Sequence, residues 1–387
     1  MKKKSNNKKL TLAVIVFTVV IMSSGRGFTR DAVKADSLPY KKAVAKLVNI
    51  LSDLDQVTQD VSKRGWQDNE EIITLHRNNR EAIELFKQVT QQESDGFIFG
   101  EKPQQYTAMT KLPYYVNEMN LFRLSLLEAK MLESKNLYAQ AEENYLATTR
   151  FMIHLSQQKF SMLLSFIIQD ICLNLASPYL EKSAQSKLFS KEYKRDLLNN
   201  LLSIRKNQDF LESAFREEAQ MSKNNARLIE EEHKKGATFD ELFALSKEGE
   251  TTDKQQRKYK ARDKELTAML DSDFFLEFYR QVDSTIDDFA QTSILATKEN
   301  NPKIYEQKHQ EFINSIEKFG NPLYRLLYSL KQTVIEGKPR KLYAAELLAN
   351  VFLTISIPRY SRLIERYHNF YNKLSLLIEK VKQGQDK

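Results

Sequence analysis

The residues that punctuate a chain are scarce here. Of 387 residues, 10 are glycine and 8 proline, well under the ~7% and ~5% of average usage. Hairpins, tight turns and phosphate-cradling loops draw on those residues. Their scarcity excludes turn-dense β architectures and favours long helices with few connections. A single cysteine, Cys172, excludes an internal disulfide and a thiolate zinc cage. It sits in the apolar run from Met162 to Leu175, where a buried, inert thiol is expected. Gly-x-Ser-x-Gly, His-Glu-x-x-His, Gly-x-x-x-x-Gly-Lys and Gly-x-Gly-x-x-Gly are all missing. The common hydrolase, metalloprotease and nucleotide-binding signatures are therefore absent.

Basic charge is also lacking once it is located. The formal net charge of +8 includes eight basic side chains within residues 1–35, against one acid, Asp31. Removing these from the totals of 59 and 51 leaves 51 basic and 50 acidic residues, a net of +1. A body without a basic excess lacks the counterion-release term that drives sequence-independent nucleic-acid binding, so no nucleic-acid partner is expected.

What is present begins at the N-terminus. Lys2, Lys3, Lys4, Lys8 and Lys9 precede an uncharged, mostly apolar run from Leu10 to Ser24. A positive segment followed by an apolar stretch of this length is the secretory pattern, and the run is short of the ~20 residues of a spanning helix. Residues 1–35 are read as a signal peptide, cleaved after Gly25 or Ala35, or as an uncleaved N-terminal anchor. Either makes the chain an exported envelope protein whose membrane contact is confined to this segment. No cysteine lies near it, so a lipoprotein-type anchor is not expected.

The remainder reads as all-α, a stack of antiparallel helix pairs with no sheet. Tyr40, Val44, Leu47, Leu51, Leu54 and Val61 form one apolar helical stripe across 39–63, and Ile72, Leu75, Ala82, Phe86 and Val89 a second across 69–92. Helices are expected to about Ser134, again from Leu137, and from about Lys159 to a bend or end at Pro178. Another runs from Lys191 to Lys235 and stops at Gly236. The polar stretch 246–265 is read as a connector between a core module at 36–245 and a C-terminal module at 266–387. That second module carries breaks near Gly337–Pro339 and Pro358.

Residues 126–151 (LLEAKMLESKNLYAQAEENYLATTRF) resemble one tetratricopeptide helix pair. Ala129 stands where that family places a small residue, and Tyr138, Ala141 and Tyr145 follow its aromatic–small–aromatic spacing. Further copies at the family's period are not found. More broadly, residues 120–158, the apolar helix FSMLLSFIIQDICLNLA and the later GNPLYRLLYSL resemble a group of signal-bearing, all-helical bacterial proteins with no established activity. That resemblance implies a helical fold and export, and nothing about chemistry.

Candidate chemistry comes down to histidine. Glu230/His233, Glu306/His309 and Glu365/His368 each place a carboxylate and an imidazole on one helical face. Two such pairs with two more carboxylates build di-iron sites in helical bundles. Glu365 and His368 alone border apolar residues and are the candidate metal ligands, although surface pairs explain all three. His76 and His154 read as core or boundary residues, and Glu142–Glu143 and Asp287–Asp288 as solvated helix faces. No cofactor is expected. The function this implies is non-enzymatic, a scaffold that binds a protein partner outside the cytoplasm. Carriage of an apolar ligand, or metal-carboxylate chemistry at Glu365 and His368, are the alternatives.

Overall fold

A computed structural model describes residues 39–94, 115–159, 162–206, 210–238, 242, 264–318, 334–335, 338–357 and 360–385. The N-terminal segment 1–35 and nearly all of the polar connector lie outside these residues. The described chain is an α-helical bundle. It divides into two bodies. The N-terminal body takes its described residues from Asp31–Pro103, Lys111–Glu217 and Leu363–Lys387, and the central body from Glu218–Arg362.

The N-terminal body opens with α1 (Pro39–Val44), α2 (Leu54–Arg64), α3 (Glu70–Asn78) and α4 (Arg80–Thr90). Each of the two apolar stripes is thus carried by two helices instead of one. Asn79 accounts for both interruptions. Its fully buried side chain accepts from the Val48 amide at 2.8 Å and donates to the Val48 carbonyl at 2.9 Å. The segment between α1 and α2 is thereby tied to the junction of α3 and α4. An asparagine that satisfies backbone groups in this way competes with helix continuation.

Helices α5 (Val116–Ser134) and α6 (Tyr138–Ser156) form an antiparallel pair. Asn136 sits at φ 59°, with its amide on the Glu133 carbonyl and the Leu137 amide on the Leu132 carbonyl. This is a Schellman stop with asparagine at the left-handed position. Gly236 (φ 96°) ends its helix the same way, as the sequence suggests, and Asn300 (φ 49°) repeats the device. Ala129 and Ala141, fully buried, let the pair approach, and Tyr145 fills the seam.

Next comes α7 (Met162–Gln185), which does not end at Pro178 but continues to Gln185. Ser177 bonds its hydroxyl to the Leu173 carbonyl at 2.5 Å beside that proline. By length and composition Leu163–Gln185 could cross a membrane, but 67% of its most apolar stretch is buried inside the bundle, as in a core helix. Helix α8 (Lys191–Lys206) and the first turns of α9 (Phe210–Lys234) follow, burying Tyr193, Leu197, Leu201, Leu211 and Phe215.

The central body holds the remainder of α9, then α10 (Ser272–Lys298), α11 (Pro302–Lys318) and α12 (Arg340–Ser356). Helices α9 and α10 are laced antiparallel. Lys223 meets Asp287 at 2.5 Å, Arg227 grips Asp283 at 3.0 and 2.5 Å, and the Tyr279 hydroxyl donates to Glu230 at 2.6 Å. Arg227 also lies 4.9 Å from the centre of the Tyr279 ring. The break near Gly337–Pro339 takes the form of a two-residue antiparallel ladder, β1 (Val334–Ile335) on β2 (Lys338–Pro339), feeding α12.

The last helix, α13 (Ser361–Gln385), departs from the expected division at 246–265. From Leu363 onward it belongs with the N-terminal body. Its partner is α7, and the two run parallel. Arg366 bonds Asp170 at 2.6 Å, Lys373 bonds Asn174 at 2.6 Å and Lys380 bonds Glu181 at 2.7 Å. Phe166 packs on Tyr367 and Phe370. At the far end Lys194 donates to the Gly384 carbonyl at 2.9 Å. A Cβ on Gly384 would clash with the Ala184 carbonyl oxygen and lie 2.9 Å from its carbon. Gly384→Ala is therefore expected to undock the final turn of α13. Because the last turn of a helix can fray instead of straining the core, the loss should stay within about 1 kcal/mol globally. Amide exchange confined to 381–385 would check it; a uniform drop in protection across α7 would contradict it.

Candidate functional site

The three Glu-x-x-His pairs stand on α9, α11 and α13. Glu230 accepts from Tyr279 and pairs with Lys234 at 2.7 Å, which holds its carboxyl below the ordinary range. His233 turns Nδ1 to the Ala237 carbonyl at 3.2 Å, beside the Gly236 stop. Glu306 is exposed, and His309 lies near the rings of Phe289 and Tyr305. Glu365 is exposed, whereas His368 is half-buried against Tyr367. Among the described residues no three His, Cys, Asp or Glu side chains gather as a metal site would require. Cys172 is fully buried, 3.3 Å from the Met119 sulfur, and burial pushes its thiol well above the ordinary range, leaving it inert.

The acidic clusters are more than solvated faces. Glu142 accepts from the Ser190 amide at 2.6 Å, and Glu143 pairs with Arg150 at 2.8 Å and Gln91 at 2.9 Å. Asp287 holds Lys223, and Asp288 holds Lys308 at 2.6 Å. Each ties one segment to another. Sequence reading misses this because the partner lies on a distant helix.

Two polar clusters lie inside the N-terminal body, and of their charged or titrating centres Lys130, Glu133, Glu118 and His154 the sequence marks His154 alone, as a core or boundary residue. In the first, the nearly buried Lys130 ammonium binds Glu133 at 2.7 Å and lies 6.0 and 5.8 Å from the ring centres of Tyr145 and Tyr179. Tyr145 donates its hydroxyl to the same carboxylate. Tyr179 donates to the Thr58 carbonyl at 2.5 Å, and Tyr193 pairs with Ser183 at 2.6 Å. Burial raises the phenols of all three tyrosines, so they stay protonated. Aromatic walls around a cation form the kind of box that recognises ammonium ligands. Here the protein's own lysine fills it.

In the second cluster, His154 stands on α6 with both ring nitrogens engaged. Nδ1 lies 2.9 Å from the Tyr40 hydroxyl and Nε2 2.9 Å from the Gln92 carbonyl. A carbonyl can only accept, so Nε2 carries the proton and Nδ1 accepts from Tyr40. Burial holds the ring neutral, lowering its pKa to about 4. Close by, Glu118 in the first turn of α5 is nearly buried, its Oε2 has no hydrogen-bond partner, and burial pushes its carboxyl up to about 7. His76, expected at a boundary, lies half-buried, 3.2 Å from Glu128 but poorly aligned for a hydrogen bond.

Two surface depressions are open. One is lined by Thr90, Glu93, Arg150, His154 and Gln157 among others, the second by Asn199, Leu202, Ser203, Arg205 and Lys206. Charged and amide side chains stand in both walls, whereas a lipid or drug-sized ligand site is predominantly apolar. Comparison of the chain with protein-family models, with curated proteins and with solved structures found no match.

Proposed function

We propose that this chain is an exported, non-enzymatic helical scaffold that binds a protein partner outside the cytoplasm. One observation supports this reading above others. Acidic groups among the described residues are engaged in tying distant segments together: Glu230 with Tyr279, Glu143 with Gln91, Asp170 with Arg366. Groups so engaged hold the helices together instead of standing poised as acid or base. The lysine-rich N-terminus and its apolar run supply the export reading. The test is a C-terminally tagged chain recovered from separated soluble and membrane fractions and read by mass spectrometry. A bait starting near Arg26 or Asp36, with a reproducible envelope protein bound, is the expected result. An intact lysine-rich N-terminus found in the membrane alone, with no partner after cross-linking, would sink the proposal.

A further inference from the structure

Helix α1 is held to the N-terminal body chiefly by Tyr40. Its ring meets Phe86 of α4 and Phe151 of α6 at 6.0 and 5.5 Å, and its hydroxyl donates to His154. The hydrogen-bond pattern admits one charge state for that histidine. Were Nδ1 protonated, it would compete with the Tyr40 proton for the same buried contact, and one donor would lose its acceptor. Glu118 is constrained in the opposite sense. An ionised carboxylate needs donors, yet its Oε2 has none, and a buried unpaired charge costs far more than a buried neutral acid. Its other help comes from its own backbone amide and, more weakly, from Lys41 on α1, and burial outweighs both.

We propose that seating of α1 is proton-balanced: placing a charge on either Glu118 or His154 weakens the docking of α1, so each opposes the other's response to pH. The neighbours around this cluster are Tyr40 and Lys41 from α1, Tyr115 just before α5, Arg150 on α6, Cys172 on α7 and, acting on Tyr115, Glu217 on α9. Two of these, Lys41 and Arg150, are cations, Glu217 is acidic, and the tyrosines and thiol stay neutral. The signs follow from linkage. Unseated, Glu118 titrates at its ordinary 4.5, and seated at about 7, so raising pH from 4.5 to 7 weakens docking. His154 titrates at 6.5 unseated and about 4 seated, so lowering pH from 6.5 to 4 weakens docking. Between 4.5 and 6.5 the two slopes cancel.

The test is amide exchange of the full chain at pH 4.5 and 6.5, corrected for intrinsic rates and read on peptides covering 40–46. Wild-type protection should stay within about threefold across that window. Glu118→Gln should lose protection by about tenfold or more on going to pH 4.5, and His154→Gln by as much on going to pH 6.5. The double variant should be flat again. Glu118→Met and His154→Leu repeat the measurement should either amide variant unfold. Single variants as flat as wild type, or a slope in one of them alone, would overturn the balance.

Discussion

Phe151→Ala is expected to lower the stability of the N-terminal body by about 3–5 kcal/mol. Phe151 is fully buried and its ring lies 5.5, 5.6 and 5.7 Å from those of Tyr40, Phe86 and Phe122. Those rings come from α1, α4 and α5, so four helices converge on one side chain. Truncation removes the transfer free energy of the ring and leaves a void that four helix backbones cannot close together. The chain holds one tryptophan, Trp66, which lies in this body. Denaturant unfolding followed by its fluorescence therefore reports the affected body, while circular dichroism reports both. A midpoint shift worth under about 1 kcal/mol would show that the aromatic cluster is not the keystone described.

Glu133→Ala should be nearly as costly, at about 3 kcal/mol or more, for an electrostatic reason. The carboxylate neutralises Lys130 and accepts the Tyr145 hydroxyl, and both of those side chains are buried. Its loss leaves an ammonium and a phenol without their partner away from water, and breaking a buried pair from one side costs more than the pair is worth. The discriminating experiment is the compensated variant. Lys130→Met combined with Glu133→Leu removes both charges and should recover most of the loss, leaving mainly the Tyr145 hydroxyl to satisfy. Were the double variant as unstable as Glu133→Ala, packing of Glu133 and not charge would explain the single result.

Much of the helical framework was legible because its signals are local. Gly236 at a left-handed stop, the boundary between Ser134 and Leu137, and the buried, inert Cys172 all follow from composition and spacing. Less legible were the stops at Asn136 and Asn300. In a chain this poor in glycine, asparagine takes over the left-handed position, and its own side-chain polarity makes it look like any surface residue. The break at Asn79 was hidden for a further reason. The apolar period runs through it undisturbed, and its cause is a tertiary hydrogen bond to Val48. Ion pairs between distant helices were missed although a trace existed. Arg366, Lys373 and Lys380 recur every seven residues on α13, facing Asp170, Asn174 and Glu181. Lys223, Arg227 and Glu230 oppose Asp287, Asp283 and Tyr279 in reverse order. Such periodic polarity marks a seam, but which helix supplies the other side is settled by topology. The Glu-x-x-His pairs show the converse. Their local pattern was clear, yet among the described residues no three such side chains gather as a metal site would require.

The parallel pairing of α13 with α7 has a consequence for the order in which the molecule can be made. Helix α7 leaves the ribosome early, and the rings that cover Phe166 belong to Tyr367 and Phe370, near the end of the chain. Domains fold as they are synthesised only when all their parts have emerged. The N-terminal body is therefore not finished by its own N-terminal half. It waits, with an apolar flank of α7 uncovered, until the whole central body has been translated. A body built this way stays open while the central body is being made, and its completion depends on a helix that lies some two hundred residues downstream of α7.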